Sequence, residues 1–285
     1  MLAKEVCAAL GLARDPFSVR EEADVYLTRE MRRAAAVVQN ALDMHGMVAL
    51  VGPSGCGKTI TFKWAISKAR RSERYRVCTP RFRDTSNLTV SHIQEALVRD
   101  LGDGRPARSR ESQARQIEAV LRALADQGTA PVLYINEAQG LHHETLRCLK
   151  RLWEHEYEYM PMLAVVLVGQ TGGRDDLLRK LGSPDLAELS RRVESISLGG
   201  LGKELSAYVA HKLERAGGRK DLVAPGALRA IARASDLPLD VDLLLERAFR
   251  LAVELGEKHV SEDIVGELVG SVPDAAAPER VSAVA

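Results

Sequence analysis

Short apolar runs alternate with amphipathic stretches over roughly the first 200 residues. MVALV at 47–51, YRVCT at 75–79, VLYIN at 132–136, LAVVLVG at 163–169 and VESISL at 193–198 each read as a strand. Most of these runs are apolar throughout rather than alternating, the pattern of strands covered on both faces. Between them, helical spacing predicts helices over 27–45, with Thr28 as N-cap, and over about 57–71, 89–101, 112–127 and 143–158. Strands alternating with helices imply an α/β unit built on a largely parallel sheet. From about residue 203 the pattern changes to helices alone, at 203–215, 225–234, 240–255 and 261–269. The expected organisation is a leading segment at 1–26, an α/β domain at 27–200, a small helical domain at 201–270 and a disordered tail at 271–285, whose sequence is rich in Ala and Pro. No internal repeat is evident.

Composition adds limits to this picture. The 285-residue chain is 46% hydrophobic, enough to bury a core, but only 4% aromatic, so that core must be mostly Leu, Val, Ile and Ala. No run approaches the ~18 apolar residues of a transmembrane helix, so no membrane partner is expected. The opening MLAKEVCAALGLARD is interrupted by charges and does not read as a secretory signal. The four cysteines, Cys7, Cys56, Cys78 and Cys148, show no paired spacing, which points to a reduced, cytoplasmic setting with free thiols. A net charge of +1 conceals an asymmetry: residues 63–122 carry 14 basic and 7 acidic groups, whereas residues 123–285 carry 19 and 25. A local anionic partner is implied rather than general stickiness.

The chemistry concentrates where strands end. Gly52, Pro53, Ser54, Gly55, Cys56, Gly57, Lys58 and Thr59 fill the pattern GxxxxGK[ST], with an apolar strand before it and a helix after it. Glycines in such a loop let backbone amides turn inward around a phosphate chain, and the following helix N-terminus adds partial positive charge. Lys58 is expected to reach the terminal phosphates of ATP and Thr59 to ligate Mg²⁺. A loop of this kind needs an acidic strand end elsewhere in the sheet, and VLYINE supplies it. Glu137 is the expected general base for the attacking water. Asn136 is expected at the metal side, where its amide oxygen can orient a metal-bound water without contributing charge. Gln170, ending VVLVGQ, is placed to hydrogen-bond the attacking water or the γ-phosphate, or to be a turn residue.

Taken together, these stretches resemble an AAA+ ATPase, and within that superfamily the ExeA-like group that includes the transposition regulators TnsC, TniB and MuB. GLARDPFSV at 11–19 is similar to that group's opening, GPSGCGKT is its Walker A loop, INEAQGL resembles its DEAQ-type Walker B, and LVGQT resembles its sensor 1. The resemblance covers about residues 10–255. It implies a five-stranded parallel sheet in the order 5-1-4-3-2, a P-loop NTPase fold flanked by helices, and a C-terminal helical lid. It also implies ATP bound between subunits of a ring or helical filament of this chain. LSRRVES at 189–195 then carries an arginine finger, Arg191 or Arg192, with Arg192 preferred because it directly precedes the strand. Two departures from the family pattern imply slow hydrolysis: Asn136 stands in place of the Walker B aspartate, and Leu239 stands in place of the lid arginine.

The basic segment bears on partners. Arg81, Arg83 and Thr85 follow the second strand, and Arg105, Arg108 and Arg110 lie in the next loop. Such groups suit contacts with DNA phosphates that carry no sequence readout. In proteins of the TnsC and MuB kind, loops at the position of Arg81, Arg83 and Thr85 track the backbone of double-stranded DNA. The expectation is an ATP-dependent regulator that oligomerises on DNA and directs a transposase or other recombination protein. Three alternatives stand beside it: a secretion or envelope ATPase without DNA binding, a helicase-loader or initiator ATPase, and a nucleotide switch without meaningful catalysis. The second of these usually brings a DNA-reading domain, and too few residues follow the last long helix for one.

Overall fold

The computed structural model of the chain describes residues 2–70, 74–82, 85–102, 104–157, 159–173 and 175–270. Arg83 and the tail at 271–285 therefore lie outside the described residues. The chain forms two compact units, Leu27–Gly199 and a second that joins Met1–Tyr26 to Gly200–Ala285.

In the second unit the chain opens with α1 (Lys4–Ala9), a helix that the periodicity does not single out. Leu2, Cys7, Leu10 and Leu12 bury themselves in the core of the later helices, with Tyr208, Leu245 and Phe249. The segment is then tied down by charge. Asp24 accepts two bonds from the Arg14 guanidinium, one of them at 3.0 Å. It also accepts the Arg215 Nε at 3.0 Å and the backbone N–H groups of Arg20 and Glu21. The Arg14 guanidinium, foremost among these partners, holds the Asp24 carboxyl well below the usual carboxylate range.

The first unit starts with α2 (Arg29–Asp43), capped as its sequence predicts by the Thr28 hydroxyl, which accepts the Met31 N–H at 3.1 Å. The chain then alternates β1 (Met47–Gly52), α3 (Lys58–Arg70), β2 (Tyr75–Cys78), α4 (Val90–Leu101), α5 (Arg110–Asp126), β3 (Ala130–Ile135), α6 (His143–Trp153) and β4 (Ala164–Gln170). Two short helices, α7 (Leu177–Leu181) and α8 (Ala187–Ser190), lead into β5 (Val193–Ser197). Every pairing in this sheet is parallel, and its order is β2-β3-β4-β1-β5, the 5-1-4-3-2 arrangement. β1 and β3 are buried at every position, as continuous apolar runs require. Met47, Ala49, Val51, Leu133 and Ile135 face the core shared with α4, α5 and α6, while the alternate positions face α2 and α3.

One element differs from its prediction. α6 stops at Trp153 rather than running to residue 158. Its buried stripe passes through Leu146, Leu149 and Leu152, and the positions that would continue it, His155 and Glu156, are polar and exposed. The Trp153 indole N–H instead donates to the His45 carbonyl at 2.6 Å. The chain then reverses through a small antiparallel hairpin, Glu156–Tyr157 against Met160–Pro161, with Tyr159 left-handed at φ 70° and 96% exposed.

The remaining helices, α9 (Leu205–Arg215), α10 (Pro225–Ala234), α11 (Pro238–Glu254) and α12 (Glu262–Gly270), complete the second unit. Pro opens both α10 and α11 in the first turn, where its missing N–H costs nothing. Leu239 is the second residue of α11 and is half exposed. Among the described residues no helix is long and apolar enough to cross a membrane.

Candidate nucleotide site

β1 ends at Gly52, and the loop that follows turns through three glycines with positive φ: Gly52 at 155°, Gly55 at 82° and Gly57 at 100°. Only glycine meets the first requirement without strain. A Cβ on Gly52 would overlap the Leu198 carbonyl and crowd Cys56 Sγ. Gly57 packs against the Met31 methyl, so α2 backs the loop. Lys58 opens α3 and is almost wholly buried. Its ammonium donates to the carbonyls of Gly52 at 2.9 Å and Pro53 at 2.7 Å, both inside the loop it belongs to. Cys56 is buried, and desolvation pushes its thiol up despite the nearby Lys58 charge, so it fills space as a protonated group.

The parallel register brings the other candidates to this edge. Gly52 pairs with Gln170, and Ile135 with Leu167, so the ends of β1, β3 and β4 lie side by side. In open α/β sheets this carboxyl edge, where the strand order reverses, is where ligands bind. Asn136 is exposed just beyond β3. Glu137 follows in the left-handed region, at φ 54° and ψ 39°, an uncommon place for a residue with a side chain. One of its oxygens, Oε2, accepts the Gln139 amide at 2.7 Å and the Gln170 amide at 3.0 Å. Gln170 thus meets the carboxylate expected to act as base.

Tyr134 belongs to the site although its apolar surroundings in VLYIN gave no signal for it. It lies two residues before Asn136 and therefore on the same face of β3. Its ring stacks on Phe62 of α3, with centroids 4.0 Å apart at 15°. Its hydroxyl is hydrogen-bonded with Thr59 and lies 3.4 Å from Asn136 Oδ1. Burial, the foremost cause, raises the phenol pKa, so the group stays protonated and points its hydroxyl at Asn136 Oδ1. Thr59 Oγ and Asn136 Oδ1 are neutral oxygens, a donor set that suits Mg²⁺ carried in with phosphate oxygens and water. The glycine cradle likewise fits a phosphate chain. Asn136→Asp should raise turnover at limiting Mg²⁺ by about tenfold, part of the Coulomb gain of a carboxylate near a dication. Turnover and Mg²⁺ dependence that both stay unchanged would make Asn136 only a strand-end residue.

Arg81 and Thr85 follow β2 on the same edge of the sheet. Arg81 is exposed, and so is its neighbour Phe82. Thr85 is turned the other way, its hydroxyl donating to the Glu137 carbonyl at 2.9 Å. A cavity of about 420 Å³ lies between these groups, lined by Thr79, Phe82, Thr85, Asn136, Glu137 and Asp175.

Arg191 and Arg192 stand apart from the other site residues. Val193 pairs with Met47, at the start of β1, so both arginines lie at the opposite end of the sheet from Gly52. Five strand residues separate these ends, about 17 Å. Neither arginine can serve its own chain's phosphates, so any action on a nucleotide must be on a neighbour's. The structure also separates the two. Both side chains are exposed, but the Arg192 guanidinium sits over the Trp153 ring, 6.0 Å from its centroid, whereas the Arg191 charge acts on the Glu188 carboxylate and adds to the Lys150 hydrogen bond, the foremost cause, in holding its pKa down.

A five-stranded parallel sheet in this order, with a glycine cradle after β1 and a carboxylate after β3, defines a P-loop AAA+ fold. Residues 42–178 match the family model described as AAA domain. Among solved structures, the chain is similar to Cdc6p from Pyrobaculum aerophilum, with a TM-score of 0.62 and 17% identity over 92% of this chain and 71% of that one. It is similar to the Aeropyrum pernix ORC1 protein, solved in complex with DNA, at 0.55 and 19%, covering 85% and 65%. The Thermotoga maritima RuvB Holliday junction branch migration motor gives 0.54 and 18%, covering 90% and 73%. At these identities the likeness establishes the fold. No curated protein matches the sequence. Neither the family model nor these structures single out the ExeA-like group.

Proposed function

We propose that this chain is an ATPase that binds ATP·Mg²⁺ at residues 52–59, assembles with copies of itself and holds double-stranded DNA by its phosphates. The observation that carries the reading is the convergence at one sheet edge of the glycine cradle, Lys58, Thr59, Asn136, Glu137 and Gln170, with Arg81 next to them after β2. Lys58 exchanges its loop carbonyls for phosphate oxygens, and Thr59 and Asn136 hold the metal side. The metal, when bound, neutralises charge on the phosphates. Glu137 takes the proton of the attacking water through Oε1, the oxygen its two glutamine partners leave unengaged. Arg191, outside the Trp153 contact that Arg192 makes, is the better candidate for the residue that reaches a neighbouring subunit's γ-phosphate, in place of Arg192.

The DNA role follows from the basic groups after β2 and from the resemblance to transposition regulators, which also supplies the finer proposal of a cytoplasmic protein that directs a transposase. The likeness to Cdc6 and ORC structures favours a second reading, an initiator-like ATPase that marks DNA for another assembly. Both readings predict DNA-stimulated turnover. Electron microscopy with a slowly hydrolysed ATP analogue separates them, since continuous filaments along DNA support the first and isolated complexes the second. No DNA affinity at low salt with ATP bound would overturn both.

A further inference from the structure

We propose that Gln139 is a positioning residue for hydrolysis, a strut that locks the Glu137 carboxylate to the end of β4. The role rests on reading Glu137 as the base of an ATPase.

Gln139 is 8% exposed and lies in the short helical turn Ala138–Gly140 that follows the left-handed Glu137. The orientation of its side-chain amide is settled by its partners. Its Oε1 accepts the Gln170 backbone N–H at 3.0 Å, and a backbone N–H can only donate. Its NH₂ therefore faces Glu137, donating to Oε2 at 2.7 Å. One side chain thus spans the carboxylate and the neighbouring strand end, and Gln170 closes the ring with its own amide on the same Oε2. With Oε2 engaged twice, the carboxylate keeps one rotamer and presents Oε1.

The backbone beneath the strut is held as well. The Lys180 ammonium, from α7, donates to the carbonyls of Gln139 and of Leu141, the latter at 2.9 Å. Thr85 holds the Glu137 carbonyl from the other side, and a Cβ on Gly140 would overlap the Thr85 hydroxyl. A left-handed backbone at a residue with a side chain persists only where its surroundings fix it, and these contacts do so. Both polar ends of the Gln139 side chain are engaged by Glu137 and Gln170. It acts through Glu137.

Two substitutions separate this role from a merely structural one. Gln139→Leu preserves volume and removes both bonds. Gln139→Glu keeps the acceptor for the Gln170 N–H but turns an oxygen toward Glu137. With full-length protein, Gln139→Leu should lower kcat about tenfold, the scale of one lost hydrogen bond to a charged group, with KM and fluorescent ATP-analogue affinity within about twofold. Gln139→Glu should lower kcat at least as far and move the acid limb of the pH–rate profile upward, because two facing carboxylates share a proton. Wild-type kcat in Gln139→Glu, or an effect of either variant confined to KM, would overturn the proposal. If Gln139→Leu does not fold, Gln139→Glu decides alone. Wild-type protein that binds the analogue without turning over ATP would instead overturn the hydrolytic reading, and this role with it.

Discussion

Replacing Glu137 with glutamine is expected to lower ATP turnover by about 10²- to 10⁴-fold, the contribution of a positioned general base. Binding of ATP should survive. The local geometry explains why the two effects separate. Glu137 Oε2 accepts two amide N–H groups, from Gln139 and Gln170, and an amide oxygen can accept both. The substituted side chain can therefore keep its rotamer, with its NH₂ in the place of Oε1. What is lost is the ability to take a proton. Single-turnover hydrolysis and equilibrium binding of a fluorescent analogue measure the two separately. Turnover within about threefold of wild type would remove Glu137 from the role of base, since that role predicts at least a hundredfold loss.

The second large effect is expected at Lys58. Lys58→Ala should weaken ATP affinity by roughly 100-fold, the scale of one to two charge-assisted hydrogen bonds, and take turnover down with it. The buried ammonium is held by the carbonyls of Gly52 and Pro53, so it already lies in the loop that would wrap the phosphates. Moving it onto a phosphate exchanges two neutral acceptors for charged ones, which adds a direct attraction between opposite charges. Without it, two loop carbonyls lose their donor and the phosphate loses its cation. Isothermal titration with ATP and Mg²⁺ reads the outcome, and an unchanged Kd would show that the loop's backbone alone holds the nucleotide.

Sheet and loop were legible in the sequence because each rests on a local rule. Unbroken apolar runs such as MVALV and VLYI can be buried on both faces, and GPSGCGKT needs its glycines at fixed places. Thr28 was readable as a cap for the same reason. The rest depends on partners far along the chain. Gln139 has no local signature, since its meaning comes from Gln170, 31 residues on, and Lys180, 41 residues on. Tyr134 reads as one more strand residue until Phe62 and Thr59 are found against it. Sequence position favours Arg192, which directly precedes the strand, and the Trp153 ring under Arg192 is visible only in the fold. The helix predicted over 143–158 stops at Trp153, and its last predicted residues include Glu156 and Tyr157, which pair with Met160 and Pro161 instead.

The joining of residues 1–26 to those after 200 sets an order of assembly during synthesis. Domains fold as units as the chain emerges, and usually the N-terminal one completes first. Here residues 1–26 leave the ribosome before the helices they pack with and must wait for them. Leu2, Leu10 and Leu12 cannot be buried, nor Arg14 and Arg215 share Asp24, until α9 exists. Residues 27–199 carry their own core and can close in the interval. A nascent chain paused near residue 200 is thus expected to hold a protease-resistant α/β unit with a cleavable leading segment. A version of the protein beginning at Leu27 would leave the helical unit with part of its core uncovered.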